Sequence, residues 1–385
     1  MCHDTLEDIV SYTDHHSDAD PTSMMAPYFM GGDKTCSPFL PRLASCQIGT
    51  YAQYSINVTS SADVAAGLKF AEDNNVRLVI HNTGHDFAGK SSGAGSLSLW
   101  MHNLKDIDFI QWSDEYYTGN AIKIGAGVQG FEANAAAHDL GLQIVTGECP
   151  TVGLAGGYTQ GGGHSALSSR HGMAADQALE YEVVIPSGKV LIANRHKNTD
   201  LYWALSSGGG GTYGVVLSLT SKAHRDVPTS GANLTFTSEN IDQDVYYDAI
   251  ETFISTLPAS TDSGVMNVFY FTATSFMIAP LTGPDVKASE LKEFLAPLMQ
   301  KLEASNITYT SHFEDFASYL EFYDAMFAPI PVVSFAKFAN SQISKVTPKF
   351  TNIISTRASP STAEPSFHAT SPSPNPTTSS PPSAT

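Results

Sequence analysis

Seven glycines lie within the 17 residues from Gly147 to Gly163, and this density constrains the fold more than any other feature of the sequence. So many glycines make a poor helix or strand. The apolar residues Val152, Leu154 and Tyr158 are interspersed among them without a serine-rich pattern, which argues against a flexible linker. Within this segment neither the P-loop pattern nor GxGxxG occurs. The segment therefore predicts backbone packed directly against a flat or phosphate-bearing ligand.

A second glycine-containing segment, from His81 to Gly93, follows a predicted strand at residues 77–81. Gly84, Gly89 and Gly93 are expected to adopt positive φ in tight turns, and the backbone N–H groups between them can cradle a pyrophosphate. A lone histidine in such a turn is usually a structural hydrogen-bonding group. This segment alone is not specific for any ligand.

Size and charge limit the classes of partner. The chain has 385 residues, 42% of them hydrophobic, which predicts two or three globular units. Its 20 basic and 38 acidic residues give a net charge of −18, which disfavours nucleic acid and anionic membranes. No apolar run approaches the ~18 residues of a membrane span. The predicted partner is a small molecule.

The periodicity of apolar residues predicts two structural units. In the first, a strand from Tyr51, a helix capped by Ser60 or Ser61 and the strand at 77–81 form a crossover, and residues 120–145 are expected to repeat it. A hairpin turning at Pro186–Gly188 and a strand from Val215 follow.

The second unit begins near Pro228 and is predicted to be an antiparallel sheet with covering helices. Its predicted elements are a long strand over 265–278, a helix over 285–303, a strand over 308–313 and a helix over 316–327. The predicted division of the chain is a lead-in over 1–46, domains over 47–227 and 228–345, and a disordered tail over 346–385. From Ala358 onward, 7 of 28 residues are Pro, 8 Ser and 5 Thr, which fits either a mucin-like stalk or sequence that is not native.

Sequence features that bear on secretion disagree with one another. The acidic N-terminus lacks the basic start and apolar run of a signal peptide. The sequons at Asn57, Asn233 and Asn306 are weak support for a secreted glycoprotein. Cys36 and Cys46 flank a short loop and form either a disulfide or two reduced thiols. The sequence predicts no metal site, because its four cysteines lack zinc spacing.

The two glycine segments, together with Arg170–Gln177 and Asp200–Val216, resemble the FAD-linked oxidases. The resemblance covers roughly residues 45–330 and is to the fungal branch of the berberine-bridge-enzyme-like group, within the vanillyl-alcohol-oxidase (VAO) superfamily with a PCMH-type FAD-binding domain. It implies an α+β fold: a two-subdomain FAD-binding domain over 47–227, then an antiparallel-sheet substrate domain. Members of the family have a longer C-terminal part that completes the flavin domain and often supplies the catalytic base, so the resemblance implies truncation and assigns no base to this chain.

The resemblance also implies roles for individual residues. His85 matches the histidine linked to the flavin 8α carbon, and Cys149 the cysteine linked to flavin C6. Gly147 matches a small residue beside the oxygen pocket, although a plain turn glycine explains it equally well. Positions matching diphosphate, ribityl, ring or adenine contacts are Asn82, Thr83, Gly84, Ser91, Val152, Gly153, Gly157, Gly162, His164 and Val215.

Three aromatic residues have two interpretations each. His164 and Tyr158 are candidate acid–base groups, although such rings are more often structural in these glycine loops. Trp203, like its neighbour Tyr202, is expected to be a core residue and not a site residue.

The function implied is that of an FAD-dependent oxidase. Hydride would pass from a small-molecule alcohol, sugar, or alkaloid or polyketide intermediate to covalently bound flavin, with O₂ as the final acceptor. Fungal relatives include enzymes of secondary metabolism that catalyse oxidative ring closures, such as chanoclavine formation in ergot-type pathways. The alternatives are a truncated, non-catalytic flavoprotein remnant, and an NAD-linked dehydrogenase, which is disfavoured because neither of the two glycine segments has the βαβ fingerprint.

Overall fold

The computed structural model describes residues 47–327, together with Pro21, Leu43 and Ser45. The proposed Cys36–Cys46 pair and the predicted tail over 346–385 lie outside the described residues. Among the residues that are described, no helix is both long and apolar enough to cross a membrane.

A three-stranded parallel sheet opens the described chain. Its order is β1-β3-β2, so the third strand lies between the first two. The predicted crossover is confirmed, and Ser60 caps its helix by accepting a hydrogen bond from the Asp63 N–H at 3.4 Å. The elements are β1 (Tyr54–Asn57), α1 (Ser61–Asp73), β2 (Leu78–His81) and β3 (Leu97–Trp100).

A five-stranded antiparallel sheet carries the larger core of the first half of the chain. Its order is β4-β5-β9-β7-β8, and the predicted hairpin at Pro186–Gly188 joins the last two of these strands. The strands are β4 (Ile107–Ser113), β5 (Thr118–Gly125), β7 (Ala178–Val184), β8 (Val190–Asn194) and β9 (Val215–Lys222). Its core includes Ile122, Tyr181 and Leu219, each nearly or fully buried.

Residues 120–145 contain the expected strand, helix and strand, with Gly141 (φ 67°) after the helix, but the second crossover is wrong. The last strand has only two residues and pairs antiparallel with the distant strand β10, not with the strand before the helix. The elements between the sheet strands are α2 (Gly130–His138), β6 (Leu142–Gln143), a wide helical turn (Leu154–Tyr158), α3 (Ser168–His171), α4 (Ala174–Gln177), α5 (Thr199–Leu205) and β10 (His224–Arg225).

A four-stranded antiparallel sheet, ordered β12-β13-β11-β14, follows with its helices. The long strand expected over 265–278 is in fact two strands, because the Thr272 hydroxyl accepts the Thr274 and Ser275 N–H groups and folds a turn without glycine or proline. The elements are β11 (Thr229–Thr237), α6 (Gln243–Asp262), β12 (Met266–Phe271), β13 (Ser275–Pro284), α7 (Ala288–Ala304), β14 (Tyr309–Phe316) and α8 (Tyr319–Met326).

The expected core position of Trp203 is also wrong. Tyr202 is buried and its hydroxyl donates to the Ala178 carbonyl at 2.7 Å, whereas Trp203 is 79% exposed. Successive residues of a helix point in different directions, so α5 buries only one of these two neighbours.

Candidate functional site

A cavity of 640 Å³ lies where three parts of the chain meet. They are residues 82–91 after β2, residues 152–161 of the Gly147–Gly163 segment, and the loop over 209–214 before β9. Cavities of this size are typical of small-molecule and cofactor sites. The candidate acid–base residue Tyr158 lines it, as do nine of the residues matched to cofactor contacts, namely Asn82, Thr83, Gly84, His85, Ser91, Val152, Gly153, Gly157 and Val215. Sequence reasoning thus selected residues that the fold brings together from separate stretches of chain.

The Asn82 side chain is enclosed by glycine backbone. A Cβ atom on Gly153 would lie 1.8 Å from Asn82 Oδ1, and one on Gly156 would lie 2.8 Å from Asn82 Cγ. The Asn82 Nδ2 group donates to the Ala126 carbonyl at 2.5 Å, but its Oδ1 atom is buried without a hydrogen-bond partner. Since buried polar atoms are nearly always paired, this acceptor points to a donor on a bound molecule.

The turn after β2 has the expected form with one exception. Gly84 (φ 76°) and Gly89 (φ 70°) have positive φ, but Gly93 does not, so that expectation is wrong. Gly93 instead lies against the guanidinium of Arg77, whose Cζ would be 2.7 Å from a Cβ at this position. Asp86 holds the turn by accepting the Ser91 hydroxyl and, at 2.5 Å, the Lys90 N–H.

His85 and Cys149 both contact the hydroxyl of Thr151. The His85 Nε2 atom lies 2.8 Å from Thr151 Oγ1, and the Cys149 Sγ atom lies 3.7 Å from the same oxygen. Thr151 is fully buried, so its hydroxyl is fixed in place. Burial raises the pKa of the Cys149 thiol, and Thr151 opposes that shift by hydrogen bonding. The two predicted attachment residues therefore lie beside one fixed polar group, although Cys149 is not among the cavity-lining residues.

Three other predicted residues, Gly147, Gly162 and His164, also lie outside the cavity lining. Gly147 lies against Tyr158, where a Cβ would come within 3.3 Å of ring atom Cε2. Gly162 has φ of 102° and forms a turn that favours glycine. His164 is 68% exposed at its side chain.

The ring of His164 lies against the carboxylate of Glu148, beside the Cys149 segment. Its Nδ1 atom lies 3.4 Å from Oε1 of Glu148, whose side chain is only 19% exposed. The Glu148 carboxylate raises the pKa of His164 above its ordinary value of 6.5, against the opposing effect of burial. Burial raises the pKa of Tyr158, whose hydroxyl donates to the His164 carbonyl at 2.9 Å.

Several residues of the site were not predicted from the sequence. Gly209, Gly210 and Gly211 line the cavity, and a Cβ on Gly210 would lie 2.7 Å from the Gly157 Cα. The run of four glycines at 208–211 was a visible signal, used for the family resemblance but not for the site. Thr151 gave no signal, because a threonine after proline is common in loops.

The chain matches known flavoproteins in sequence and in fold. Residues 52–194 match the FAD binding domain family. The chain is 42% identical over 311 residues to the FAD-linked oxidoreductase sthB of Phaeosphaeria nodorum, a match covering 80% of this chain and 98% of that protein. Four other curated fungal FAD-linked oxidoreductases are 43% to 46% identical, and the chain spans 54% to 60% of their length.

Two solved structures extend the likeness to the fold. The VAO-type flavoprotein MtVAO615 from Myceliophthora thermophila is 43% identical with a TM-score of 0.78, over 86% of this chain and 60% of that one. The BBE-like 1 variant D396N from Physcomitrella patens is 25% identical with a TM-score of 0.59, over 70% of this chain and 56% of that one. Both likenesses extend beyond the matched segment, since each covers more of the chain than residues 52–194 do.

Proposed function

The chain belongs to the fungal VAO-type FAD-linked oxidoreductases, and on this premise we propose that it is an oxidase carrying covalently bound FAD. In this proposal a small-molecule alcohol, sugar, or alkaloid or polyketide intermediate of secondary metabolism loses a hydride, and O₂ is the final electron acceptor. The observation that carries the proposal is the Thr151 hydroxyl, which holds His85 at 2.8 Å and Cys149 at 3.7 Å.

The residues of the cavity fit FAD. The unpartnered Oδ1 atom of Asn82 offers an acceptor, and the glycines at 153 and 156 leave the backbone bare around it. The backbone N–H groups of Asn82, Thr83, Gly84 and His85, with Ser91, would hold the diphosphate, whereas Asn82 Oδ1 would accept from a donor elsewhere on the cofactor. Val215 would contact the adenine end, and residues 152–157 the ribityl chain and ring. When bound, the flavin supplies hydride acceptance and passes electrons to O₂ with release of hydrogen peroxide.

Covalent attachment requires orientation of the ring at His85 and loss of the thiol proton at Cys149. The His85 ring is oriented by its contact with Thr151 and presents its edge at the cavity. Cys149 must lose its proton to act as a nucleophile, and burial opposes this by raising the pKa of the thiol. The Thr151 hydroxyl favours the thiolate by hydrogen bonding, so we expect attachment at Cys149 to be slower than at His85 and to accelerate as pH rises.

Two further observations concern the proposal: the description of one relative and the exposure of the sequons. A relative from Thermothelomyces thermophilus, 46% identical over 318 residues, is described as a VAO-type flavoprotein oxidase. Of the sequons, Asn57 and Asn306 are exposed and suited to glycosylation, whereas Asn233 lies half-buried within β11 with its Oδ1 atom buried.

The test is expression of the full chain with ample riboflavin. Peptide mass spectrometry should show flavin on both His85 and Cys149, and a panel of alcohols, sugars and alkaloid precursors should give substrate-dependent hydrogen peroxide. Flavin adducts without peroxide from any substrate would identify a non-catalytic flavoprotein remnant. A folded protein with no adduct at either residue would refute covalent attachment.

A further inference from the structure

Glu148 and His164 form a polar pair that the proposed flavin site does not use. Neither residue lines the 640 Å³ cavity, yet Glu148 is bonded directly to the anchor residue Cys149 in sequence. The pair therefore lies beside the proposed flavin position without contributing to the cavity that would hold the cofactor.

Tyrosine hydroxyls fix the backbone of both residues. The Tyr323 hydroxyl donates to the carbonyls of Gly147 at 2.9 Å and Glu148 at 3.1 Å, and the Tyr158 hydroxyl donates to the His164 carbonyl at 2.9 Å. Tyr323 is about 1% exposed. A side-chain pair held on a fixed backbone is pre-organised, which is a requirement of a catalytic group.

The tyrosines near Glu148 belong to β12 and α8. Burial raises the pKa of Tyr270 on β12, and the Glu148 carboxylate adds to that shift. Burial also dominates the raised pKa values of Tyr319 and Tyr323 on α8, and Glu148 contributes in the same direction. Glu148 is thus the acidic group shared by the glycine segment and the antiparallel sheet that the family resemblance assigns to substrate.

We propose that His164 accepts the proton that the substrate loses on oxidation, with Glu148 as its positioning residue. The contact of Nδ1 with Glu148 leaves Nε2 as the basic atom of the 68% exposed ring. The substrate O–H or N–H bond breaks and an Nε2–H bond forms, while the C–H hydrogen leaves as the hydride of the proposed oxidation. This inference rests on the proposed oxidase function and adds to it the proton acceptor.

The arrangement sets a direction for pH dependence. A base acts only when deprotonated, and the Glu148 carboxylate raises the pKa of His164. The groups near the pair, besides each other, are Cys149, Tyr158 and the tyrosines on β12 and α8, and burial raises the pKa of each of them. Removing the charge of Glu148 must therefore lower the pKa of His164 and extend activity to lower pH.

The first experiment needs no flavin. Histidine resonances of the full chain are titrated by NMR in wild type, in E148Q and in E314Q, which removes the acidic partner of the exposed His312–Glu314 pair (2.9 Å). H164N assigns the resonance. The His164 pKa should fall in E148Q and stay unchanged in E314Q; an unchanged value in E148Q overturns the inference.

The second experiment tests proton acceptance with 4-nitrophenol, whose ionised form absorbs at longer wavelength than its neutral form. Wild-type protein should increase the ionised fraction of added 4-nitrophenol, E314Q should do the same, and H164N should not. No increase with wild type, or an equal increase with H164N, overturns the inference.

The third experiment uses turnover. Where the peroxide assay identifies a substrate, H164N should lower kcat by about 10²-fold or more, as loss of a general base does. The acid limb of the kcat/KM profile should shift to lower pH in E148Q, and equal rates in H164N and wild type would overturn the inference. Absence of flavin with an intact 4-nitrophenol response would instead show that only the oxidase function is wrong.

Discussion

Replacing Thr151 by valine should slow flavin attachment without unfolding the protein. The substitution exchanges a fully buried hydroxyl for a methyl group of similar size. It removes the 2.8 Å contact to His85 Nε2 and the 3.7 Å contact to Cys149 Sγ, but keeps the backbone carbonyl that accepts from Gln129 at 3.0 Å. We therefore expect T151V to disturb the orientation of the His85 ring and the pKa of the Cys149 thiol.

The size of the effect follows from the hydrogen bonds lost. A neutral hydrogen bond contributes about 0.5 to 1.5 kcal/mol, which corresponds to roughly a 2- to 12-fold change in rate. The His85 contact has the distance of a normal hydrogen bond, whereas the sulfur contact is long and weak. We therefore expect the rate at His85 to fall toward the upper end of that range, and the rate at Cys149 to fall less.

The assay is a time course of flavin addition to apoprotein, followed by digestion and mass spectrometry of the peptides carrying His85 and Cys149. T151S is the matched control, because it retains the hydroxyl and should attach flavin at nearly the wild-type rate. If T151V folds normally and attaches flavin at His85 as fast as T151S does, the role given to the Thr151 hydroxyl is wrong.

Three further variants test other parts of the structure. G153A should abolish FAD retention, since its Cβ would lie 1.8 Å from Asn82 Oδ1, and G153A/N82A should regain thermal stability but not FAD. Y323F should lower the free energy of unfolding by about 1 to 3 kcal/mol, because two carbonyls lose their donor, and the melting temperature should fall by roughly 2 to 4 °C per kcal/mol, with exposed Y54F unchanged. Burial, followed by nearby cations, lowers the pKa of both His171 and His224 to about 4 from 6.5, and their rings stack at 3.8 Å. Between pH 6.5 and 4 the unfolded chain binds more protons, so stability should fall as pH falls through this window. Urea unfolding at several pH values should show a smaller pH slope in H224Q but not in the exposed-site control H312Q.

The sequence was most informative where glycine is required for a geometric reason. The close approach of Gly153 and Gly156 to Asn82 demands residues without a Cβ, so the ligand-facing segment could be recognised from composition alone. Gly84 was likewise predictable from its place in a tight turn. Gly93 does not have the positive φ expected of it, and it lies against the movable guanidinium of Arg77.

The pairing of strands that are distant in sequence could not be predicted from the sequence alone. Nothing local to β3 shows that it lies between β1 and β2, and nothing local to β6 shows that its partner is the distant strand β10. The turn that divides β12 from β13 was missed because threonine hydroxyls hold it, and threonine is also a favoured strand residue. Thr151 was missed for a similar reason, since its importance comes from the two side chains that the fold brings to it.

Residues on both sides of the predicted domain boundary near residue 227 shape the candidate site. Tyr323, far along the chain in α8, donates to the carbonyls of Gly147 and Glu148, next to the proposed anchor Cys149. The same helix contributes Tyr319, Phe322 and Met326 to a hydrophobic cluster with four residues of the earlier segment, Val145, Ala166, Leu167 and Ala174. Because the hydroxyl of Tyr323 is buried, its two hydrogen bonds are formed only when α8 packs against the glycine segment. The geometry around Cys149 and the Glu148–His164 pair is therefore set by α8 as much as by the segment that matches the FAD-binding family.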